Sequence, residues 1–357
     1  MAEISLAGIG HRYALRNYAL APLDMIFEHG RTYALLGPSG CGKTTMLNII
    51  SGLLKPSDGR VLIDGRDVTR TETAARNIAQ VFQFPVIYSA KSVAENLAFP
   101  LVCRGWASDR IRARVGEIAE LLGLTATLGK RANNLTADQK QLISLGRGLV
   151  RDDVAALLMD EPLTVIDPQS KFALRRKIKS IIEQARLTVI YVTHDQNEAM
   201  TFAHEVLVMK DGAVVQRGTP DELFERPRTA YVGYFIGSPA MNFLEIENVA
   251  GRLSVSGLAL PAVPSLIEAQ RQAAGCKLQL GLRPEHIQLA DAAETGQFPA
   301  EIVAVRDHGS NRVVLLRVGK STASMKVGRD VDLPVGKVWL KVAPEKMRIY
   351  ADGILLA

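Results

Sequence analysis

An α/β fold with a largely parallel sheet, followed by a smaller all-β region, is what the 357-residue sequence predicts. Three observations carry that expectation. Over the first two-thirds, short apolar runs alternate with stretches of helical periodicity, the pattern of strands covered on both faces and joined by crossover helices. A glycine-rich loop joins one such run to the helix pattern after it. Beyond Gly237-Ser238-Pro239 the texture becomes apolar–polar alternation broken by turn residues, which suggests short strands in a small barrel.

In chain order, RTYALLG (31–37) reads as a strand and KTTMLNIISGLL (43–54) as the helix that follows it. Residues 107–127 place Ile111, Val115, Ile118, Leu121 and Leu122 on one helical face, which predicts a helical insert over about residues 88–150. AALLM (155–159) and LTVIYVTH (187–194) read as two further buried strands. In the last third, 277–284, 300–319 and 337–344 alternate, and His308-Gly309-Ser310-Asn311 is a hairpin turn between two such runs. These readings divide the chain into domains 1–238 and 239–357; 246–276 has the weakest pattern.

Composition narrows the class of protein. Hydrophobic residues at 47% against 22% charged predict a chain with a sizeable core. The net charge of +6 is spread out, and its densest group (Arg175, Arg176, Lys177, Lys179) reads as a solvated helix face, so no nucleic-acid partner is expected. Cys41, Cys103 and Cys276 lie far apart without metal-ligand spacing, as in a reducing compartment. The N-terminal residues lack a basic start followed by an apolar run, and no run reaches the roughly 18 apolar residues that span a bilayer. A cytosolic protein that can dock on a membrane protein is expected.

GPSGCGKTT (37–45) fits G-x-x-x-x-G-K-[ST], with Gly37, Gly42, Lys43 and Thr44 at the fixed positions. Glycines let the backbone of Ser39, Gly40 and Cys41 wrap phosphate oxygens with its amides. The helix starting near Lys43 adds a positive N-terminal end, which reaches Thr45. Lys43 supplies charge to β- and γ-phosphates, and Thr44 a hydroxyl for Mg²⁺. The bland alternative is an ordinary glycine turn, but the strand before and the helix after favour ATP. Downstream, AALLMDEP ends a buried strand with two acids. Asp160 would hold Mg²⁺ through water, and Glu161 would act as general base on the attacking water.

At this point the residues resemble the ATP-binding cassette (ABC) subunits of transporters. GPSGCGKTT is followed by Gln83 in VFQFP, LTADQ (135–139), LLMDEP (157–162), TVID (164–167) and His194 in VTHD. In order, these are similar to the family's Walker A, Q-loop, signature, Walker B, D-loop and H-loop. The resemblance implies a P-loop ABC ATPase fold with a helical subdomain. It implies that Tyr13 stacks on adenine, that Gln83 meets Mg²⁺ and the attacking water, that His194 reaches the γ-phosphate, and that Asp167 faces a second subunit. IGSPAMNFL (236–244) and GLRPEHI (281–287) resemble the ATPases of maltose- and glycerol-phosphate-type importers. That implies an oligonucleotide/oligosaccharide-binding (OB)-like regulatory domain, two transmembrane permease subunits, an indirect link to a periplasmic binding protein, and a peripheral place on the cytoplasmic face of the cell membrane.

One element departs from the family. In the signature, Thr136 stands where the family has serine, Ala137 and Asp138 replace glycines, and Gln139 is kept. In the family this element closes over ATP held by the other subunit. A carboxylate there repels a triphosphate by roughly a few kcal/mol. The plain structural reading is that Asp138 caps the following helix. The combination of 81–101, LTADQKQ and EPLTVID resembles one ATPase subunit of bacterial glycerol and sugar-alcohol importers that use two different ATPases, which implies a non-identical second ATP-binding subunit. The alternative reading is a regulatory, weakly hydrolysing nucleotide-binding subunit; intact Glu161 and His194 argue for turnover.

Overall fold

The computed structural model describes residues 2–14, 17–151, 153–249, 252–255, 258–259, 276–290, 297–334 and 336–356. The chain forms two compact units, Met1–Pro220 and Asp221–Ala357.

The first unit begins with β1 (Ile4–His11), β2 (Leu20–Phe27), β3 (Thr32–Leu36), α1 (Lys43–Ser51), β4 (Asp58–Ile63), β5 (Arg66–Asp67) and β6 (Ile78–Val81). Next come α2 (Val93–Val102), α3 (Ser108–Leu121), α4 (Ala137–Leu149), β7 (Ala156–Asp160), α5 (Pro168–Ala185), β8 (Val189–Thr193), α6 (Gln196–Phe202), β9 (Glu205–Lys210) and β10 (Ala213–Gly218). The main sheet runs β10-β9-β3-β8-β7-β6. Its β9, β3, β8, β7 and β6 are parallel, and β10 adds an antiparallel edge. Every residue of β3, β7 and β8 is buried, which explains why these strands read as unbroken apolar runs. Their C-terminal ends all deliver loops to one edge of the sheet. There an open α/β sheet presents its binding residues.

A second, antiparallel sheet, β2-β1-β4-β5, was not foreseen. Its residues Ile4, Leu6, Ile9, Phe27 and Val61 share a core with Met46, Leu47, Ile49 and Ile50 of α1. The other core joins α2, α3 and α4 to β7, β8 and α5.

Two helices end earlier than their apolar patterns suggested, each at a glycine. Gly52 takes φ +87° and its N–H caps the carbonyls of Asn48 and Ile49 at 3.1 and 3.2 Å, so α1 stops at Ser51. Gly123 at φ +67° follows the cap of α3. A left-handed glycine is the usual helix stop because it carries no Cβ penalty.

The second unit holds α7 (Pro220–Glu225, whose first residue closes unit one), α8 (Ala230–Phe235) and the strands β11 (Asn242–Glu245), β12 (Glu247–Val249), β13 (Arg252–Val255), β14 (Leu258–Ala259), β15 (Leu278–Leu282), β16 (Gln288–Ala290), β17 (Phe298–Asp307), β18 (Arg312–Val318), β19 (Ser321–Val327), β20 (Lys337–Lys341), β21 (Arg348–Ala351) and β22 (Ile354–Leu355). They form antiparallel sheets ordered β11-β15-β21-β22, β12-β13-β14 and β16-β20-β17-β18-β19 around one core. The 308–311 hairpin is present: the His308 N–H donates to the Asn311 carbonyl at 2.9 Å, and Asp307 faces Arg312. Arg283 is fully buried and donates to the carbonyls of Phe224, Gly233 and Ile236, tying α7 and α8 to β15. Much of the stretch that read weakly, 260–275, lies outside the described residues.

Candidate active site

The glycine loop leaves β3 and turns into α1. Two of its glycines are enforced by backbone contacts: a Cβ on Gly37 would sit 2.4 Å from the Met209 carbonyl oxygen, and one on Gly42, at φ +98°, 2.5 Å from that of Ala19. No L side chain fits either place. Ser39 and Gly40 are exposed at the loop crest, while Cys41 is buried and its thiol is pushed up by burial. Lys43 lies under the loop, with Nζ donating to the carbonyls of Gly37 and Pro38 at 2.8 and 2.9 Å.

Beside it, the Thr44 hydroxyl donates to Asp160 Oδ2 at 2.9 Å across the α1–β7 gap. Asp160 is 7% exposed. Burial raises its carboxyl above the ordinary value, the Thr44 bond opposes the rise, and the adjacent Glu161 charge adds to it. A hydroxyl and a carboxylate this close are a hard-oxygen pair, the donor chemistry Mg²⁺ selects. A lysine, a divalent-ion pair and a wrapped glycine loop together fit a nucleoside triphosphate.

Glu161 is where the other loops meet. Its Oε2 lies 3.0 Å from His194 Nδ1, 3.4 Å from the Thr164 hydroxyl and 3.5 Å from Gln83 Nε2. The residue takes φ +44°. His194 follows β8 and is exposed, as is Gln83 after β6. Tyr13 is 68% exposed, edge-on to His11 at 4.6 Å, with its hydroxyl 3.3 Å from that of Thr45. Thr44 of the phosphate loop is thus bonded to Asp160, and His194 and Gln83 lie against Glu161, the next residue in the chain. Tyr13 reaches the same loop through Thr45.

Thr136, Asp138, Gln139 and Asp167 make no direct hydrogen bond to this group among the described residues. They line another part of the surface, where Asp138 and Asp167 share a groove with Leu142 and Ser170. Asp138 is not the cap of α4, as the plain structural reading had it. Thr136 is the N-cap, its N–H donates to Gln139 Oε1 at 3.3 Å, and Asp138 stands one residue into the first turn. The cap falls on Thr136 because its backbone is extended while Ala137 is already helical. The Thr136 hydroxyl donates to Asp138 Oδ1. Asp167 caps α5, accepting from the Ser170 N–H at 3.1 Å.

Sequence reading missed two supports. Thr164 contacts Glu161 through both its carbonyl, at 3.0 Å, and its carboxylate. Glu198, 5% exposed, accepts from Tyr191 at 2.8 Å and Thr193 at 2.9 Å, and Thr193 accepts from the Asp195 N–H at 3.0 Å, bracketing His194. The signal for Glu198 was an acid four residues after the histidine, in the first turn of the following helix and directly before Ala199 and Met200.

Fold and site together define a P-loop ATPase. Three family patterns match the chain: ABC transporter over residues 20–164, MalK OB fold domain over 237–287, and TOBE domain over 280–349. The sn-glycerol-3-phosphate import ATP-binding protein of Chromohalobacter salexigens is 40% identical over 302 residues, 85% of this chain and 80% of that protein. The protein of the same name from Salmonella typhi is 36% identical over 357 residues, 99% of this chain and 98% of its own. Among solved structures, a Clostridium perfringens chain that is part of an ABC transporter complex has a TM-score of 0.57 at 28% identity, covering 62% of this chain and 90% of that one. An ATP-binding cassette solved as a dimer in a post-hydrolysis state with ADP and Pi scores 0.56 at 27% identity, covering 61% and 98%. The chain belongs to the ATP-binding proteins of ABC transporters: it is an ATPase subunit that works with membrane permease subunits, with an OB-type C-terminal part. No helix among the described residues is long and apolar enough to cross a membrane.

Proposed function

We propose that this subunit powers import of glycerol or its phosphate ester, using Glu161 as the general base of ATP hydrolysis. The observation that carries the catalytic part is the convergence of His194, Gln83 and Thr164 on one carboxylate beside Lys43 and the Thr44–Asp160 pair. Glu161 takes the proton of the attacking water. Lys43 and the backbone N–H groups of 39–45 hold the phosphates, and His194 stabilises negative charge developing on the γ-phosphate. Thr44, Asp160 and Gln83 would hold Mg²⁺, which would supply positive charge against the phosphates. Tyr13 offers its exposed ring to the adenine face. The solute class rests on the printed function of the relatives, which match nearly the whole chain.

Thr136, Asp138, Gln139 and Asp167 face ATP held by a second ATP-binding subunit. Because Thr136 spends its hydroxyl proton on Asp138, this chain offers a weakened grip. That supports a non-identical partner with a full signature. Phe84, Val86 and Tyr88, exposed at 73%, 50% and 41%, offer apolar surface suited to a permease, which supports a peripheral place for the subunit at the membrane; the cytoplasmic face is our reading from the importer resemblance. The regulatory part is taken as 239–357, in keeping with the OB match from 237.

The test is the native complex reconstituted in vesicles, with ATP hydrolysis and uptake of labelled glycerol and glycerol 3-phosphate followed together. Glu161→Gln is expected to lower turnover on the order of 100- to 10,000-fold while ATP still binds. Undiminished hydrolysis would remove Glu161 as the base, and uptake of neither solute by the parent complex would remove the substrate assignment.

A further inference from the structure

Helix α4, which starts at the signature, carries three polar side chains at positions 141, 144 and 147. With i, i+3 and i+6 spacing they lie on one face. All three bond the segment that begins with the Q-loop. Gln141 Nε2 donates to the Phe82 carbonyl at 3.2 Å, the Ser144 hydroxyl accepts from the Val86 N–H at 3.3 Å, and Arg147 donates to the Val86 carbonyl.

Gln141 does more than its neighbours. It is 1% exposed, and its second donor bond goes to the Pro162 carbonyl at 3.0 Å. Phe82 immediately precedes Gln83, and Pro162 immediately follows Glu161. One buried NH₂ group therefore holds the Phe82–Gln83 peptide, which leads directly into Gln83, and the Pro162–Leu163 peptide, one removed from Glu161. Because both partners are carbonyls, only the nitrogen side of the amide can face them. Its Oε1 is buried without a hydrogen-bond partner, a cost of about 1–3 kcal/mol that an apolar residue would not incur.

We propose that Gln141 is a positioning residue for ATP hydrolysis: it sets Gln83 and Glu161 relative to each other and makes that setting depend on where the signature helix sits. The inference rests on the roles proposed above for Gln83 and Glu161. The Gln83–Glu161 contact is long, at 3.5 Å, so small shifts of either peptide alter it. A misplacement of about 1 Å at a reacting group costs on the order of 100-fold in rate.

The experiment compares Gln141→Met and Gln141→Glu with the parent and with Glu161→Gln, all as the full chain in its native complex, reading kcat, KM for ATP, nucleotide binding and melting temperature. Methionine keeps length and removes both donors. A neutral glutamic acid restores one donor, and its carboxylate none. The expected result is a kcat at least roughly ten-fold down in Gln141→Met with KM and nucleotide binding within about two-fold. Gln141→Glu should lose rate at neutral pH and recover part of it, relative to parent, as pH falls. Parent-like kcat in both variants overturns the inference. So does an equal loss of kcat, nucleotide binding and melting temperature, or failure of both variants to fold, since each assigns Gln141 to the scaffold alone. If Glu161→Gln itself keeps full turnover, the reading of the base has failed; that outcome is separate from the behaviour of position 141.

Discussion

Glu161 occupies φ +44°, a region that costs a residue with a Cβ about 1–2 kcal/mol. The turn takes its side chain off the line of β7, and its carboxylate meets His194 and Gln83. Asp160, one residue earlier, stays on the strand and points at Thr44. The two acids were legible in the sequence as a pair after an apolar run; their divergence was not, because it depends on a backbone angle set by the surrounding loops. Asp160 also carries a pH signature. Burial raises its carboxyl in the folded chain, so the folded state binds the proton more tightly than the unfolded one. Stability from this group is present below the ordinary carboxylate value, near 3.9, and is lost as pH rises through the raised folded value. Asp160→Asn should therefore raise the melting temperature of the nucleotide-free, Mg²⁺-free protein at about pH 7, with the gain shrinking toward about pH 4. A melting curve series across pH that shows no gain at neutral pH would remove the burial argument.

At the scale of elements, α4 is held on both sides. One face bonds the Q-loop segment, and another packs on α2 and α3 at Gly146. A Cβ there would meet Leu97 Cδ2 at 2.5 Å, Leu122 Cδ1 at 2.9 Å and Ile118 Cγ2 at 3.4 Å. Gly146→Ala gains up to about 1 kcal/mol of helix propensity but overpacks a core at a cost of about 1–3 kcal/mol. The net expectation is a loss of roughly 1 kcal/mol, since the nearest atoms are side-chain ends that can yield in part. It would appear as a lower urea midpoint; an unchanged or higher midpoint would show that Leu97 and Leu122 move freely. The helical insert was readable from the spacing of Ile111, Val115 and Ile118, because helical periodicity is local. The need for glycine at 146 was not, since it comes from two other helices.

At the scale of the molecule, the proposed pairing is testable. If Asp138 and Thr136 weaken what this chain offers to a neighbour's ATP, the chain purified alone should turn over slowly, and Asp138→Gly should speed it by several-fold or more, given roughly a few kcal/mol of repulsion. Brisk turnover by the unmodified chain alone, or a variant no faster than its parent, would count against a non-identical partner. In the second unit the strands at 278–282, the 298–307 and 312–318 hairpin and 337–341 were visible as alternation. Their grouping into three sheets was not, because antiparallel pairing between distant strands leaves no trace in local periodicity.

The sequence by itself determined the class of this protein. Phosphate binding requires glycines, lysine and a hydroxyl at fixed spacing, and a parallel core requires uninterrupted apolar strands. Both demands are met within short segments. Only the tertiary structure decided that Thr136 and not Asp138 caps α4, that Glu161 gathers His194, Thr164 and Gln83, and that Gln141 joins the loops of Gln83 and Glu161. These are hydrogen bonds between residues mostly tens of positions apart. Their geometry is fixed when the strands pack and their loop ends converge, not by the residues' neighbours in the chain.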